Sequence, residues 1–385
     1  MNEIVKRKPY VKYIIAGVVC FLFLIVITLL IYFLTRRKKG IPFYLTCGDG
    51  GIWYSNDGMK WTNCFKESVY DIAYNGVDTF LGVGKNKVFY SNDGKNWTLY
   101  ASNIFGTGGT GGSRSIIAYN GVDTWFVGGG IGDGAGSDNI NGNNLAYSND
   151  GKKWTPVTNI FVNGYVASIV YNGVDTWVAV GSSIGYSKDG KKWTQASSGI
   201  EGVSVAYNGV EDTWIALGDG VTAHSKGGET WSTVQPIFAY ASDIVYNGVD
   251  TWVALGFAEY PIMYSKNNGI TWEKGPQIFG FSSSVAYNGI DTWVAVGDPG
   301  HGGSSILYSN DGALSWNKGT DIFLGGYGTS VAYNGVDTWV AVGIGTSDTT
   351  KNIVAYSKDG IIWNTGTGIN DDSNFLRSIK IFTLK

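Results

Sequence analysis

Cysteine, histidine and arginine are all scarce in this chain of 385 residues. Of three cysteines, Cys20 lies in a long apolar run, leaving Cys47 and Cys64. Two cysteines in so long a body are not a disulfide framework. A coarse strand reading sets another strand between them, so no bridge is expected. The two histidines, His224 and His301, have no Cys or His nearby at ligand spacing, and the chain shows no zinc pattern. Net positive charge is missing from the body. Residues 1–40 hold eight basic side chains against one acid, which leaves twenty basic and thirty acidic residues in 41–385. An acidic body lacks the electrostatic footprint of a nucleic-acid binder, and no nucleic-acid partner is expected.

Glycine and aromatic residues are abundant, with 57 Gly, 15 Trp, 24 Tyr and 17 Phe. That composition, without long runs of helix formers, points to many short strands joined by tight turns. One stretch differs: residues 13–34, "YIIAGVVCFLFLIVITLLIYFL", are apolar and uncharged. A run of 22 such residues is long enough to cross a bilayer as a helix. It exceeds the apolar core of a signal peptide and has no small-residue cleavage site after it. The chain therefore divides into a basic tail (1–12), a transmembrane helix (13–34), a short basic linker (35–42) and a body (43–385). Four basic residues flank the run on each side, so the positive-inside rule does not orient it. The expectation is a single-pass protein of the cell surface or a virion membrane, with its body outside the cytosol. The one sequon, Asn96-Trp97-Thr98, is a weak signal because "WT" recurs for other reasons.

Two motifs alternate along the body. "SNDGMKW" at Ser55 has counterparts at Ser91, Ser148, Ser187, Ser225, Ser265, Ser309 and Ser357, with Asp57, Asp93, Asp150, Asp189, Asp311 and Asp359 at the acidic position. "YNGVDTFLGVG" at Tyr74 has near-copies at Tyr119, Tyr171, Tyr207, Tyr246, Tyr287 and Tyr333, about 43 residues apart. A fixed period in the forties with strand-like segments reads as an all-β propeller of four-stranded blades. Strand A precedes the tyrosine. Asn-Gly makes a hairpin turn in which both residues can take positive φ. Strand B is the "DTWVAVG" run, strand C ends in "YS", and the tryptophan after the Ser/Asp/Gly turn opens strand D. Residues 43–65 supply B, C and D without an A, while 375–385 resemble an A with nothing after it. Pairing them makes eight blades; seven is the alternative if they do not combine.

The Ser-x-Asp-Gly-x-x-Trp turn resembles the Asp-box (BNR) repeat of sialidases and of many non-enzymatic propellers. The resemblance implies that the six aspartates are structural turn residues remote from any active site. Eight copies of one carboxylate also argue against acid–base work. The tryptophans divide between the two motifs, apart from Trp53, and read as packing between blades. Sialidases hold their substrate carboxylate with three arginines, whereas 41–385 contains only Arg114 and Arg377. No catalytic group, metal site or cofactor is expected. The loop 128–144 carries Asp133 and Asp138 without the EF-hand spacing. The Gly-rich run 106–114 lacks the Gly-Lys-Ser/Thr ending of a phosphate loop.

Strand order puts the regular A–B and C–D turns on one face of the disk and the variable B–C and D–A loops on the other. Variable loops on one face are where binding usually lives. Tyr165, Tyr240, Tyr260, Phe281, His301 and Tyr327 then form an aromatic rim on the variable face. The short linker 35–42 leads into a strand that starts on the regular face, which should look at the membrane. The expected function is non-catalytic recognition or display, binding a glycan or a protein through the distal rim. The alternatives are a structural membrane or virion component without a ligand, and a divergent glycan-active hydrolase.

Overall fold

The computed structural model describes residues 40–105, 115–130, 142–197, 200–277, 280–300, 303–345, 351–369 and 375–384. The apolar run at 13–34, most of its linker, the glycine-rich run 106–114, Asp133, Asp138 and His301 lie outside the described residues. No helix among the described residues is long and apolar enough to cross a membrane. The chain divides into two units, Met1–Ile41 with Lys385, and Pro42–Leu384. The second unit is all β.

Each repeat becomes one antiparallel sheet in the order A, B, C, D. Blades 1 to 7 span residues 71–102, 116–156, 166–197, 204–234, 240–274, 281–318 and 327–365. Blade 8 takes strand A from Leu376–Leu384 and strands B, C and D from Ile41–Gly48, Gly51–Ser55 and Thr62–Phe65. The terminal pieces do combine, and the propeller has eight blades. The A strands lie against one another in a closed ring, each touching the next, with Leu376–Leu384 between Tyr327–Tyr333 and Asp71–Tyr74.

The apolar "WVAVG" run follows from this stacking. In strand B of blade 3, Trp177–Gly181, every residue is buried. Side chains alternate between the two faces of a strand. Trp177 and Ala179 pack toward blade 2, and Val178 and Val180 toward blade 4. Eight apolar clusters result, one at each junction between blades. Each fully buried valine contributes roughly 1.5–3 kcal/mol. The last glycine of strand B has its own reason. A Cβ on Gly48, Gly181 or Gly218 would overlap a carbonyl oxygen next to the start of its own strand A. Cys47 and Cys64 are both free, with the Gly51–Ser55 strand between theirs.

The A–B turn differs from the expected hairpin. In six of the seven turns only the glycine takes positive φ, 80° at Gly173, whereas in blade 4, with one residue more, Asp212 takes it; the turn runs on through Asp and Thr. Asn172 Oδ1 accepts the N–H groups of Val174, Asp175 and Thr176, each at 2.9 Å. Its Nδ2 donates to Asp175, to which Thr176 Oγ1 also donates. The asparagine side chain takes the place of a backbone carbonyl, so its own φ need not become positive. Strand B consequently begins at Trp177 and not at Asp175.

The C–D turn is built on its aspartate. Asp189 Oδ1 accepts the N–H groups of Lys191 at 2.8 Å and Lys192 at 2.7 Å, and the Ser187 hydroxyl donates to it. Trp193 Nε1 then closes the turn onto the Gly190 carbonyl at 3.2 Å. Asp57, Asp93, Asp150 and Asp359 repeat the arrangement. In blade 6 an extra residue shifts the bond from Asp311 to Ser315 N–H. In blade 5 Asn267 accepts from Thr271 N–H in the same way. In blade 4 Gly227 leaves the place empty, yet its flanking strands, Val221–Lys226 and Thr230–Val234, are intact.

These bonds make folding pH-dependent. Burial works to raise the six turn aspartates, but turn N–H and hydroxyl donors outweigh it and hold all six below the ordinary range, Asp93 at about 2. Between that pKa and the unfolded value of about 3.9, the unfolded chain binds more protons. The contribution of Asp93 is therefore present above the unfolded value and is lost as pH falls toward about 2, and the other five turn aspartates act in the same direction. Denaturant midpoints measured from pH 4 to pH 2 should fall, and should fall less steeply in Asp93→Asn. An unchanged slope in that variant would contradict this account.

Candidate functional site

Eight A strands around one axis leave a channel, and at its variable-loop end it opens into a cavity of about 630 Å³. Every blade except blade 3 contributes to the wall. Most of its polar groups are hydroxyls, from Ser115, Ser242, Ser283, Thr329 and Ser378, with Tyr70, Phe281, Tyr327 and Phe375 as aromatic faces. Arg377 is the cation at this level. Its Nε and Nη2 form a two-pronged bond to the Asp49 carboxylate at 2.9 and 3.0 Å. Its guanidinium carbon lies 5.2 Å from the centre of the Tyr70 ring. Such a fork is planar and permanently charged, and the pair spends two of its five donors.

Ionisable groups also line the channel wall. Three residues before the repeat tyrosine stand Asp71, Ile116, Ser168, Ser204, Asp243, Ser284 and Ser330. At this step a side-chain oxygen can accept an N–H from the next blade's A strand. Asp71 Oδ2 accepts Ile117 N–H, Ser168 Oγ accepts Val205 N–H, Asp243 Oδ2 accepts Val285 N–H, and Ser330 Oγ accepts Ile379 N–H, at 3.1–3.4 Å. The residue just before the tyrosine is Ala or Val in blades 1 to 7, but blade 8 places Lys380 there. Its Nζ lies 2.8 Å from Asp71 Oδ1.

The electrostatics follow from position. Burial alone would depress Lys380, but Asp71 beside it, with Cys47 and Asp243 near, holds it above its ordinary value. Burial pushes Asp243 up to about 6, against the N–H groups of Val285 and Ile244 and the nearby Lys380. Burial also raises the Cys47 thiol, with Asp71 adding to the effect. This cysteine packs in the junction between blades 8 and 1, and burial there disfavours the reactive thiolate.

The expected aromatic rim is divided by the structure. Phe281 and Tyr327 meet at the axial cavity. Tyr240, 59% exposed, starts strand A of blade 5 beside Phe257. Tyr165 is half-buried; burial, with Glu201 and Asp219 near, pushes it up to about 12. Tyr260 belongs to a separate depression of about 470 Å³ with Trp272 and Met263, where Lys274 Nζ stands 4.2 Å over its ring. His224 occupies a strand C, where the other seven copies have tyrosine, and its Nδ1 is buried without a hydrogen-bond partner. The described residues hold no group of three or more His, Cys, Asp or Glu placed to bind a metal ion.

Asp49, Asp71, Asp243, Arg377 and Lys380 were not singled out from the sequence. A signal existed. Written in register on the repeat tyrosine, the copies show Asp71 and Asp243 where four others have serine, and the terminal strand shows Lys380 against Ala or Val.

No protein-family model matches the chain, and no curated protein matches it. Among solved structures, it is similar to YCF48 from Cyanidioschyzon merolae, with 17% identity, a TM-score of 0.47, and coverage of 71% of this chain and 92% of that one. It is also similar to the GH74 enzyme of Niastella koreensis, with 16% identity, a TM-score of 0.40, and coverage of 85% of this chain and 56% of that one. At these identities the likeness is one of fold.

The Lys380–Asp71 pair joins blades 8 and 1, and without Lys380 the Asp71 carboxylate, its side chain 13% exposed, would be left as a largely enclosed charge. Lys380→Met should destabilise the protein by about 2 kcal/mol or more, while Lys380→Met with Asp71→Asn should recover most of that loss. Equilibrium unfolding of the single and double variants measures the coupling. Strictly additive losses would show that the pair does not couple the two blades.

Proposed function

We propose that this is a membrane-anchored, non-catalytic recognition propeller that takes a glycan in the axial mouth on its variable-loop face. The observation that carries the reading is the cavity itself, where a belt of hydroxyls, several aromatic faces and one forked cation converge from six blades. Hydroxyls and a guanidinium match sugar hydroxyls and carboxylates, and aromatic rings match the apolar faces of sugar rings. Asp71 and Asp243 serve the scaffold in this reading, since both oxygens of each accept backbone N–H groups. The C–D turns are of the Asp-box type and act in folding alone. Residues 13–34 hold the chain in the membrane, with the propeller outside the cytosol.

The test uses the full-length chain in lipid nanodiscs on a glycan array, beside a panel of fluorogenic glycosides. Retention of a glycan class without turnover is the expected result. Phe281→Ala and Tyr327→Ala should each weaken retention roughly tenfold, on the scale of a lost aromatic contact. Asp189→Ala should lower stability by about 1 kcal/mol and leave retention unchanged. Glycoside turnover would overturn the non-catalytic reading. Retention indifferent to Phe281 and Tyr327 would remove the axial mouth as its site.

A further inference from the structure

The face opposite the cavity carries an apolar feature that the fold does not use. In six of the seven A–B turns the asparagine, glycine, aspartate and threonine all have structural work, whereas the residue between glycine and acid contributes only its backbone. Val174 donates its N–H to Asn172, and its carbonyl accepts the Tyr171 hydroxyl. Its side chain stands open. The same position holds Val77, Val122, Val210, Val249, Ile290 and Val336, and six of the seven side chains are 68–77% exposed, with Val336 at 43%. Ile270, Leu314 and Ile362, in the C–D turns of the same face, add three more at 55–62%. A single exposed apolar side chain is ordinary, but a polar residue would serve the turn equally well, and the same apolar choice recurs at all seven turns of one face.

Geometry narrows the partner. Because the blades form a closed ring, the seven positions lie in one annulus at one end of the channel. An annulus of single side chains, with no groove between them, suits a broad, flat partner. The acids beside these residues are already engaged. Asp175, Asp250 and Asp337 pair with Lys188, Lys266 and Lys358 at 3.0–3.6 Å. Asp78, Asp123 and Asp291 are bound by their own turn's asparagine and threonine. Blade 8 is the one blade without an A–B turn, and there the chain arrives instead, at the start of Ile41–Gly48 on this face. The apolar run ends at residue 34, so the residues between can reach at most roughly 25 Å.

We propose that this annulus rests on the surface of a zwitterionic bilayer, with the valine tips among the lipid headgroups. The proposal depends on reading 13–34 as a membrane span, and the experiment separates the two. Full-length chain is reconstituted in phosphatidylcholine vesicles and labelled with an environment-sensitive fluorophore at Val174→Cys or, on the variable face, at Val162→Cys. Signal from the unsubstituted chain is subtracted. Bromine-bearing phosphatidylcholine should quench the label at 174 about three times more than the label at 162, as expected for side chains at the interface. Serine at the other six annulus positions should return the label at 174 to the level of 162. Equal quenching at the two positions, or quenching indifferent to the six serines, overturns the proposal. Alkaline carbonate extraction reports the span separately. A chain retained in the vesicles without quenching at 174 keeps the span and loses the annulus. A chain extracted by carbonate, yet quenched at 174 beforehand, loses the span and keeps the annulus.

Discussion

The ring depends on one strand pairing. Leu376–Leu384 lies beside Ile41–Gly48 and completes a sheet whose other strands lie more than three hundred residues away in sequence. Without that sheet, blades 1 and 7 would each present an uncovered apolar face, because strand B is buried on both sides. The cavity, the channel and the division into two faces all presuppose closure. Joining distant segments carries a loop-closure cost, though that cost grows only slowly with separation. Two apolar clusters, which include Phe43, Leu45 and Ile72 on one side and Tyr44, Trp61 and Leu376 on the other, offset it. The Arg377–Asp49 fork fixes the mouth end of the same sheet.

Beyond closure, the scaffold rests on side chains that imitate backbone. Asn172 receives three N–H groups as a carbonyl would, Asp189 receives two, and Asp71 and Asp243 reach across to the next blade. Tight turns and innermost strands leave N–H groups that no ladder satisfies, and an unmet buried donor costs about 1–3 kcal/mol. Short oxygen-bearing side chains are the economical solution. The same logic explains why the aspartate of the C–D turn can be missing from blade 4. There Gly227 donates its N–H to Asp212 O and the strands run closer to the turn, so fewer donors need an acceptor.

Much of this was legible in the chain because repetition converts ambiguous residues into statistics. The period, the four strands and the pairing of 43–65 with the C-terminal strand could all be read. The hairpin was misjudged because Asn-Gly is read from residues that tolerate positive φ, whereas here Asn172 acts through its side chain. The rim was only half legible. Strand order gives the face on which a residue lies, but not its distance from the axis, which separates Tyr260 from Phe281 and Tyr327. The channel charges escaped notice because Asp71 and Asp243 look like ordinary strand residues until the copies are aligned on their tyrosines.

The charges are unevenly distributed around the ring. Arg377, Asp49 and Lys380 all belong to blade 8, the one sheet assembled from both ends of the chain. Asp71 and Asp243 are charges of single copies, in blades 1 and 5, at a step where four other blades hold serine. Blade 8 is also the blade that closes the ring. A ligand that engages Arg377 in the mouth therefore binds at the seam, and binding to the closed form alone stabilises closure by RT ln(1 + [L]/Kd). For such a ligand, recognition at the axis and integrity of the ring would be one equilibrium, and the junction that closes the ring would be the one it reinforces.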